Sequence, residues 1–229
     1  MIIKGLQKLT LLDFPGRIAC TVFTHGCNLR CPFCHNASLV VRDEGGSISE
    51  EELFAFLEKR RGMLEGVCVT GGEPTLYPDL ENMLGRIREL GYLIKLDTNG
   101  YRPERLISCV ERGLVDYVAM DIKSSKERYA EVAGIPSLDI SKIEDSAAFL
   151  LEGKIPFEFR TTVVKELHSE EDFVNIGRWL GGEEKFFLQG FSDSGDLIFP
   201  GLHGYDKSEM EYLLNVLKVY VPNAEIRGQ

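Results

Sequence analysis

The chain has 229 residues, which is enough for a large domain with its own core, so folding needs neither a disulfide nor a metal. Its formal net charge of -10 argues against a general nucleic-acid binder, because that class carries a basic face. No segment approaches the roughly 18 uninterrupted apolar residues of a membrane-spanning helix. Lys4, Lys8 and Asp13 interrupt the N-terminal segment, where a secretory signal would be apolar. We therefore expect a cytoplasmic protein that acts without nucleic acid or membrane.

Six strand-like segments alternate with six helix-like segments along the chain. The strands are predicted at 17–24, 66–72, 92–100, 114–123, 155–164 and 185–191. The helices are predicted at 49–62, 79–91, 103–113, 141–154, 169–182 and 206–221, the first of them capped by Ser49 with Glu52 three residues later. This alternation predicts an α/β fold with parallel strands in one domain spanning 1–229. An open doubly wound sheet and a curved, barrel-like sheet both fit the pattern.

Motifs rich in polar residues and glycine lie at the ends of the first four predicted strands. "THGCNLRCPFCHN" follows the first strand, "TGGEPT" ends the second, "DTNG" the third and "MDIKSS" the fourth. Ligand sites of parallel α/β proteins lie at the carboxyl ends of the strands, in the loops before the helices. The four motifs therefore predict a single active-site face.

Three cysteines, Cys27, Cys31 and Cys34, fall within eight residues of the first motif. A disulfide framework does not fit, since the thiols are crowded, odd in number and in a chain expected in a reducing compartment. A zinc site completed by His25 or His35 remains open, and so does a [4Fe–4S] cluster that leaves one iron free for a small chelating ligand. The remaining cysteines lie in apolar segments and are interpreted as buried free thiols: Cys20, Cys68 and Cys109.

The spacing CxxxCxxC, with Phe33 before the last cysteine, resembles the signature of the radical S-adenosylmethionine (SAM) enzymes. One strand later, "GGEP" at 71–74 resembles the motif that binds the amino group of SAM in that superfamily. The resemblance implies a partial (β/α)6 barrel of parallel strands over nearly the whole chain. It also implies an oxygen-sensitive [4Fe–4S] cluster on Cys27, Cys31 and Cys34, with SAM chelated to the fourth iron.

A narrower resemblance rests on "LLDFPGRIACTVFTHGCNLRCPFCHN" together with "LDTNG" and "MDIK". These segments are similar to glycyl-radical-enzyme activating enzymes, most of all to the activating proteins of anaerobic ribonucleotide reductase, with pyruvate formate-lyase activases as relatives. The resemblance implies an oxidoreductase that cleaves SAM reductively to a 5′-deoxyadenosyl radical and removes a glycine Cα hydrogen from a partner glycyl radical enzyme. The electron would come from a flavodoxin- or ferredoxin-type donor.

Two other functional classes stay open. One is a radical SAM enzyme that acts on a small molecule in cofactor or modified-base biosynthesis. The other is a non-enzymatic iron–sulfur electron carrier, which the sequence disfavours because a carrier would normally have four cysteine ligands and no use for "GGEP".

The resemblance also assigns residues around SAM. Phe33 and Asn36 are expected near the adenine, and Lys123 is expected to pair with the carboxylate. The amino group is assigned to Gly71, Gly72, Glu73 and Pro74, the two glycines giving the backbone room to approach the ligand. The ribose and methionine ends are assigned to Asp97, Thr98 and Asn99. A monovalent cation, as in the pyruvate formate-lyase activases, is expected near Asp97, Thr98, Met120 and Asp121.

Simpler interpretations accompany these assignments. "GGEP" and "DTNG" could be plain turns, and Asp121 with Lys123 could be a surface ion pair worth about 0–1 kcal/mol. Arg160 and Gln189 are expected to point toward the same barrel mouth if the strand alternation holds. His168 and His203 are expected to face solvent.

Overall fold

The computed structural model describes residues 1–41, 46–182, 184–193 and 195–228. Its described strands form one eight-stranded sheet whose spatial order is the order of the chain. β1 pairs antiparallel with β2, and every later neighbouring pair is parallel. The strands are β1 Ile3–Thr10, β2 Ala19–Thr24, β3 Gly66–Gly71, β4 Leu93–Thr98, β5 Tyr117–Asp121, β6 Phe157–Val163, β7 Lys185–Gly190 and β8 Ala224–Arg227.

Six long helices connect the parallel strands, and all six were predicted from the sequence. The helices are α1 Ala37–Val40, α2 Glu50–Arg60, α3 Leu80–Glu89, α4 Pro103–Glu111, α5 Tyr129–Val132, α6 Ile140–Leu151, α7 Glu170–Leu180 and α8 Lys207–Lys218. The short helices α1 and α5 and a 3₁₀ turn at Pro74–Leu76 were not predicted. At α2, Ser49 Oγ accepts from the Glu52 N–H at 3.1 Å and the Glu52 carboxylate accepts from the Ser49 N–H at 2.9 Å, which confirms the predicted capping box.

The predicted α/β class with a partial parallel barrel is confirmed. The six predicted strands correspond to β2–β7, each of which is one to five residues shorter than predicted. β1 and β8 were missed: β1 carries no alternating apolar pattern, and β8 is only four residues long. In the described sheet, β1 and β8 are the two edges.

Alternation along the strands separates an apolar face from a polar one. Residues such as Val22, Val69 and Leu96 belong to the main buried core. Their neighbours on the opposite face of the sheet include Thr21 and Asp97, which line a cavity. The curved sheet therefore has a polar concave face, and its carboxyl ends hold the motifs singled out in the sequence.

A small apolar cluster closes the amino-terminal end of this concave face. Phe14, from the "LDFPG" segment, packs with Ala19 and Tyr117 in a cluster separate from the main core. Phe14 also lies over Gly66, where an added Cβ would come within 2.7 Å of the Phe14 ring. This arrangement gives Phe14 a structural role as the floor of the partial barrel.

Within the described part of the chain, every helix is too short or too polar to traverse a bilayer.

Candidate active site

A cavity of about 310 Å³ lies at the carboxyl ends of the parallel strands, within the size range of small-molecule sites. Among the residues assigned from the sequence, it is lined by Cys27, Cys31, Phe33, Cys34, Asn36, Gly71, Gly72, Glu73, Asp97, Thr98, Asn99, Asp121 and Lys123. Pro74 and Met120 do not line it. Pro74 is buried as the first residue of the 3₁₀ turn, and Met120 packs beside Gly100.

Backbone hydrogen bonds hold the cysteine loop in place from several sides. The Gly26 N–H donates to Leu39 O at 2.8 Å, and Gly26 O accepts from the Glu73 N–H at 2.8 Å. On the other side, the Arg30 N–H donates to Ala133 O at 2.9 Å. The loop is therefore positioned by its neighbours in the fold before any metal binds.

Of the three thiols of this loop, Cys31 is buried, and Cys27 and Cys34 are half-buried. Burial raises the pKa of Cys27 to about 12, and burial, opposed by Lys123, raises the pKa of Cys31 to about 11. Burial also raises the pKa of Cys34. The side-chain amide of Asn99 lies 3.6 Å from Cys27 Sγ. Metal binding must displace protons from these thiols, which couples loading of the site to proton release.

The described residues contain no group of three or more His, Cys, Asp or Glu side chains arranged to hold one metal ion. A mononuclear zinc site needs its ligands to converge on a single point. An iron–sulfur cluster takes one thiolate on each of its irons, so its ligands are spread around a cavity. Cys27, Cys31 and Cys34 all line the cavity, and three thiolates are the number of protein ligands that a [4Fe–4S] cluster with one open iron takes.

The two glycines of "GGEP" make close contacts with the polypeptide. An added Cβ at Gly72 would lie 1.9 Å from Gly26 O, and one at Gly71, which has φ of +114°, would lie 2.3 Å from Thr24 N. From the sequence, these glycines are expected to give a ligand room to approach the backbone. In the structure they let the "GGEP" loop press against the backbone that leads into Cys27.

The carboxylate of Glu73 is 1% exposed and accepts four hydrogen bonds from the protein. Its Oε1 accepts from Thr75 N at 3.0 Å, Thr75 Oγ1 at 2.5 Å and Thr98 Oγ1 at 2.9 Å. Its Oε2 accepts from the Asn99 N–H at 2.6 Å. Burial raises the pKa of Glu73, and these hydrogen bonds oppose the rise. Glu73 therefore ties the "GGEP" loop to the "DTNG" loop, and its contact with the SAM ammonium stays a prediction.

Five charged side chains form a chain of ion pairs beneath the cysteine loop. Lys95, 1% exposed, contacts Asp97 Oδ1, and Arg160 Nη1 lies 3.0 Å from Asp97 Oδ2. Arg160 Nε lies 2.9 Å from Asp121 Oδ1, and Lys123 Nζ lies 3.1 Å from Asp121 Oδ2. Burial alone would raise the pKa of Asp121, but Arg160 and Lys123 outweigh it and lower that pKa to about 2. The ion pair between Asp121 and Lys123 is present, as the simpler interpretation predicted, but it is partly buried and joined to Arg160.

His168 is 2% exposed, so the prediction that it faces solvent is wrong. Its Nε2 lies 2.8 Å from Lys123 O, and its Nδ1 accepts from the Val164 N–H at 3.1 Å. The ring also meets Phe33 edge-on, with centroids 6.3 Å apart. His168 thus supports both the backbone of Lys123 and the ring beside Cys34. His203 has a side chain that is 72% exposed, as predicted.

The buried His168 makes the metal-free protein sensitive to acid. Burial lowers the pKa of His168 below 6.5, so the unfolded chain takes up a proton near pH 6.5 while the folded protein does not. Asp172 and Arg128 also face the ring, with opposite effects on its pKa. The free energy of unfolding should therefore fall as the pH drops below about 6.5. Urea denaturation at pH 7 and pH 5 measures this fall.

His168→Gln should lower the free energy of unfolding at pH 7, but it should also reduce the fall of that free energy between pH 7 and pH 5. The reduction is partial, because burial also lowers the pKa of His35. His203→Gln is the matched control, since it removes an imidazole from an exposed position. Equal slopes in wild type and His168→Gln would contradict this role.

Some cavity residues lack a recognisable motif. Lys95, which does not line the cavity but contacts Asp97, was not predicted because it lies inside an apolar strand, although its polar character at an alternate position was an available signal. Arg160 and Gln189 line the cavity, as the alternation predicted. Asp13, beside the floor residue Phe14, also lines it and accepts from Thr21 Oγ1 at 2.5 Å.

The family model of the radical SAM superfamily matches residues 21–180. The chain belongs to the radical SAM superfamily. Membership implies a [4Fe–4S] cluster and SAM, and the buried thiols beside a cationic network in one cavity suit both groups. Cys27, Cys31 and Cys34 would hold the cluster, and Lys123 would face the anionic end of SAM.

Three comparisons place this radical SAM protein among others. A provisionally named glycyl-radical enzyme activating enzyme of Methanocaldococcus jannaschii is 29% identical over 233 residues, covering 99% of this chain and 95% of that protein. A provisionally named GTP 3′,8-cyclase of Saccharolobus solfataricus is 26% identical and covers 72% of this chain, which spans 54% of the cyclase. The crystal structure of a domain of pyruvate-formate lyase-activating enzyme from Bacteroides vulgatus superposes with a TM-score of 0.56 at 20% identity, covering 71% of this chain and 99% of that one.

Proposed function

We propose that this radical SAM protein activates a glycyl radical enzyme, with anaerobic ribonucleotide reductase or a relative as its protein substrate. The carrying observation is the similarity to the Methanocaldococcus activating enzyme over nearly the full length of both chains. In this chain, thiols and cationic side chains line one cavity, which supports the radical chemistry that such an activase needs. The setting would be the anaerobic cytoplasm.

Cys27, Cys31 and Cys34 would hold the cluster, which would supply one electron, taken from a flavodoxin- or ferredoxin-type donor, for cleavage of the S–C5′ bond of SAM to methionine and a 5′-deoxyadenosyl radical that takes the glycine Cα hydrogen. The products on this scheme are 5′-deoxyadenosine and a glycyl radical. The protein's own contribution is to bind, orient and exclude water.

The cavity residues divide this work between the two ends of SAM. Lys123 presents its ammonium to the carboxylate, and its position is fixed by Asp121 at 3.1 Å and by the backbone contact with His168. Phe33, buried and held edge-on by His168, offers its ring to the adenine. Asn36 donates to Gly71 O at 3.4 Å, which places its amide beside the "GGEP" loop. Asn99, hydrogen-bonded to Asn28 at 2.9 Å, faces Cys27.

The cavity volume favours a substrate that enters as a flexible segment. About 310 Å³ is at the small end of ligand sites, too little for a folded domain, so a protein substrate would have to reach this site with a narrow segment. Direct hydrogen transfer needs the glycine Cα and C5′ of SAM to approach to roughly 3–3.5 Å. The partner must therefore offer its glycine on a locally extended loop.

Deuterium transfer tests this function. With a candidate glycyl radical enzyme whose glycine carries deuterium at Cα, the 5′-deoxyadenosine should gain deuterium under anaerobic reducing conditions. Electron paramagnetic resonance should then show a carbon-centred radical on the partner. A partner with that glycine replaced by alanine is the control and should give neither signal.

The similarity to a GTP 3′,8-cyclase favours a second candidate, a nucleotide-like small-molecule substrate. The same assay separates the two functions. If deuterium enters 5′-deoxyadenosine from a labelled purine nucleotide and never from the glycine, the small-molecule function replaces the activase function.

A further inference from the structure

Asp97 and Asp121 both line the cavity, and each of their carboxylate oxygens contacts a cationic nitrogen. Asp97 Oδ1 contacts Lys95, and Asp97 Oδ2 lies 3.0 Å from Arg160. Asp121 Oδ1 lies 2.9 Å from Arg160, and Asp121 Oδ2 lies 3.1 Å from Lys123. A metal ion between these aspartates would have to displace one of the cations.

The network carries one unbalanced positive charge. Lys95, Arg160 and Lys123 supply three positive charges, and Asp97 with Asp121 supplies two negative ones. Other carboxylates at or near the cavity take no part in these ion pairs. Asp13 lines the cavity and accepts from Thr21 Oγ1 at 2.5 Å. Glu158 is matched by Arg227 at 2.9 and 3.2 Å, and Glu73 is enclosed by hydrogen bonds from neutral donors.

Arg160 has the shape needed to bridge the pair. Its side chain is 13% exposed and reaches Asp97 through Nη1 and Asp121 through Nε and Nη2. A guanidinium is planar, always charged and presents donors in a fixed fork, so it spans two carboxylates with defined geometry. Removing a buried partner of such a pair leaves an uncompensated charge, which is strongly unfavourable.

We propose that Arg160 takes the place of a monovalent metal ion between Asp97 and Asp121, so that this fixed network binds the SAM carboxylate without Na⁺ or K⁺. The excess positive charge of the network matches the single negative charge of that carboxylate. Lys123, nearest the cysteine loop, makes the direct contact, and Arg160 is a positioning residue that acts through Asp121. The inference rests on the use of SAM by this chain and departs from the cation site expected by resemblance.

The test is SAM binding to the cluster-loaded protein without reductant, measured by calorimetry in NaCl, KCl or tetramethylammonium chloride at one ionic strength. The wild-type Kd should agree within about twofold among the three salts. A Kd that weakens tenfold or more when Na⁺ and K⁺ are removed would overturn the inference. This comparison requires no mutation and stands whether or not any variant folds.

Arg160→Met should weaken SAM binding at least tenfold, about 1.4 kcal/mol, and should make the remaining affinity depend on Na⁺ or K⁺. Arg160→Lys keeps the charge but loses the paired donors of the guanidinium. Its Kd for SAM should therefore lie between those of the wild type and Arg160→Met. Arg112→Met, at an exposed arginine paired with Glu81, is the matched control and should bind like wild type. Wild-type affinity of Arg160→Met in tetramethylammonium chloride would overturn the proposal.

The outcomes also separate this inference from the proposed function. Cation-independent SAM binding without glycyl radical formation would overturn the function and leave the role of Arg160 standing. Glycyl radical formation with cation-dependent SAM binding would support the proposed function and overturn the role of Arg160.

Discussion

Replacing Cys27, Cys31 or Cys34 with alanine is expected to abolish reductive cleavage of SAM. Each thiolate would hold a different iron, so loss of one leaves an incomplete cluster. The wild-type protein should take up about four irons per chain after anaerobic reconstitution. Iron analysis and the yield of methionine from SAM with dithionite measure both effects.

Cys68→Ala and Cys109→Ala are the matched controls. Both thiols are buried, and neither lines the cavity. Cys68 lies on the concave face 3.7 Å from Asp97 and Cys109 lies inside α4, so both variants should keep the cluster and cleave SAM. Stoichiometric zinc without iron uptake in the wild-type protein, or full activity of any of the three ligand variants, would contradict the cluster assignment.

Gly72→Ala is expected to destabilise the protein and to empty the cluster site. The new Cβ would lie 1.9 Å from Gly26 O, a backbone atom that cannot move without breaking its bond to the Glu73 N–H. Overpacking of this kind costs about 3 kcal/mol. Because Gly26 directly precedes Cys27, relief of the clash must shift a cluster ligand. Denaturant unfolding of the metal-free protein and iron content after reconstitution are the two measurements.

Gly85→Ala is the control for this substitution. Gly85 lies in the middle of α3 with no atom within 4 Å of its added Cβ, and alanine favours a helix over glycine by about 0.5–1 kcal/mol. That variant should be at least as stable as wild type and load iron normally. A Gly72→Ala protein with wild-type stability and iron content would show that the loops are less tightly packed than described.

Periodicity and turn residues were sufficient to predict the parallel core of the fold. Helices such as α2 carry their own caps, and buried strands such as β3 carry continuous apolar runs, so local sequence determines both. β1 and β8 were missed because β1 lacks an alternating apolar pattern and β8 has only four residues; as edge strands, each pairs with a single neighbour in the described sheet. Their formation is a tertiary effect with little local signal.

The candidate site was predictable where a motif marks it. The cysteine spacing, "GGEP", "DTNG" and "MDIK" converge on the same cavity, because parallel strands bring their carboxyl ends to one edge. The contacts between the motifs were not predictable. That Glu73 bonds Asn99, or that Arg160 reaches both Asp97 and Asp121, depends on strand neighbours and side-chain reach in three dimensions.

The order of the strands bears on how the protein is made. Each described strand pairs with the strand that precedes it in sequence, so every new strand joins a growing edge and none has to be inserted between two others. Chains fold from the N-terminus as they leave the ribosome. The three thiols of the cysteine loop would then leave the ribosome before Lys123, Arg160 and the Ala133 carbonyl that fixes the loop have been synthesised. Thiols able to bind metal would be present on the nascent chain before the cationic side chains of the cavity. The time of cluster insertion would then depend on the rate of translation as well as on the chemistry of the site.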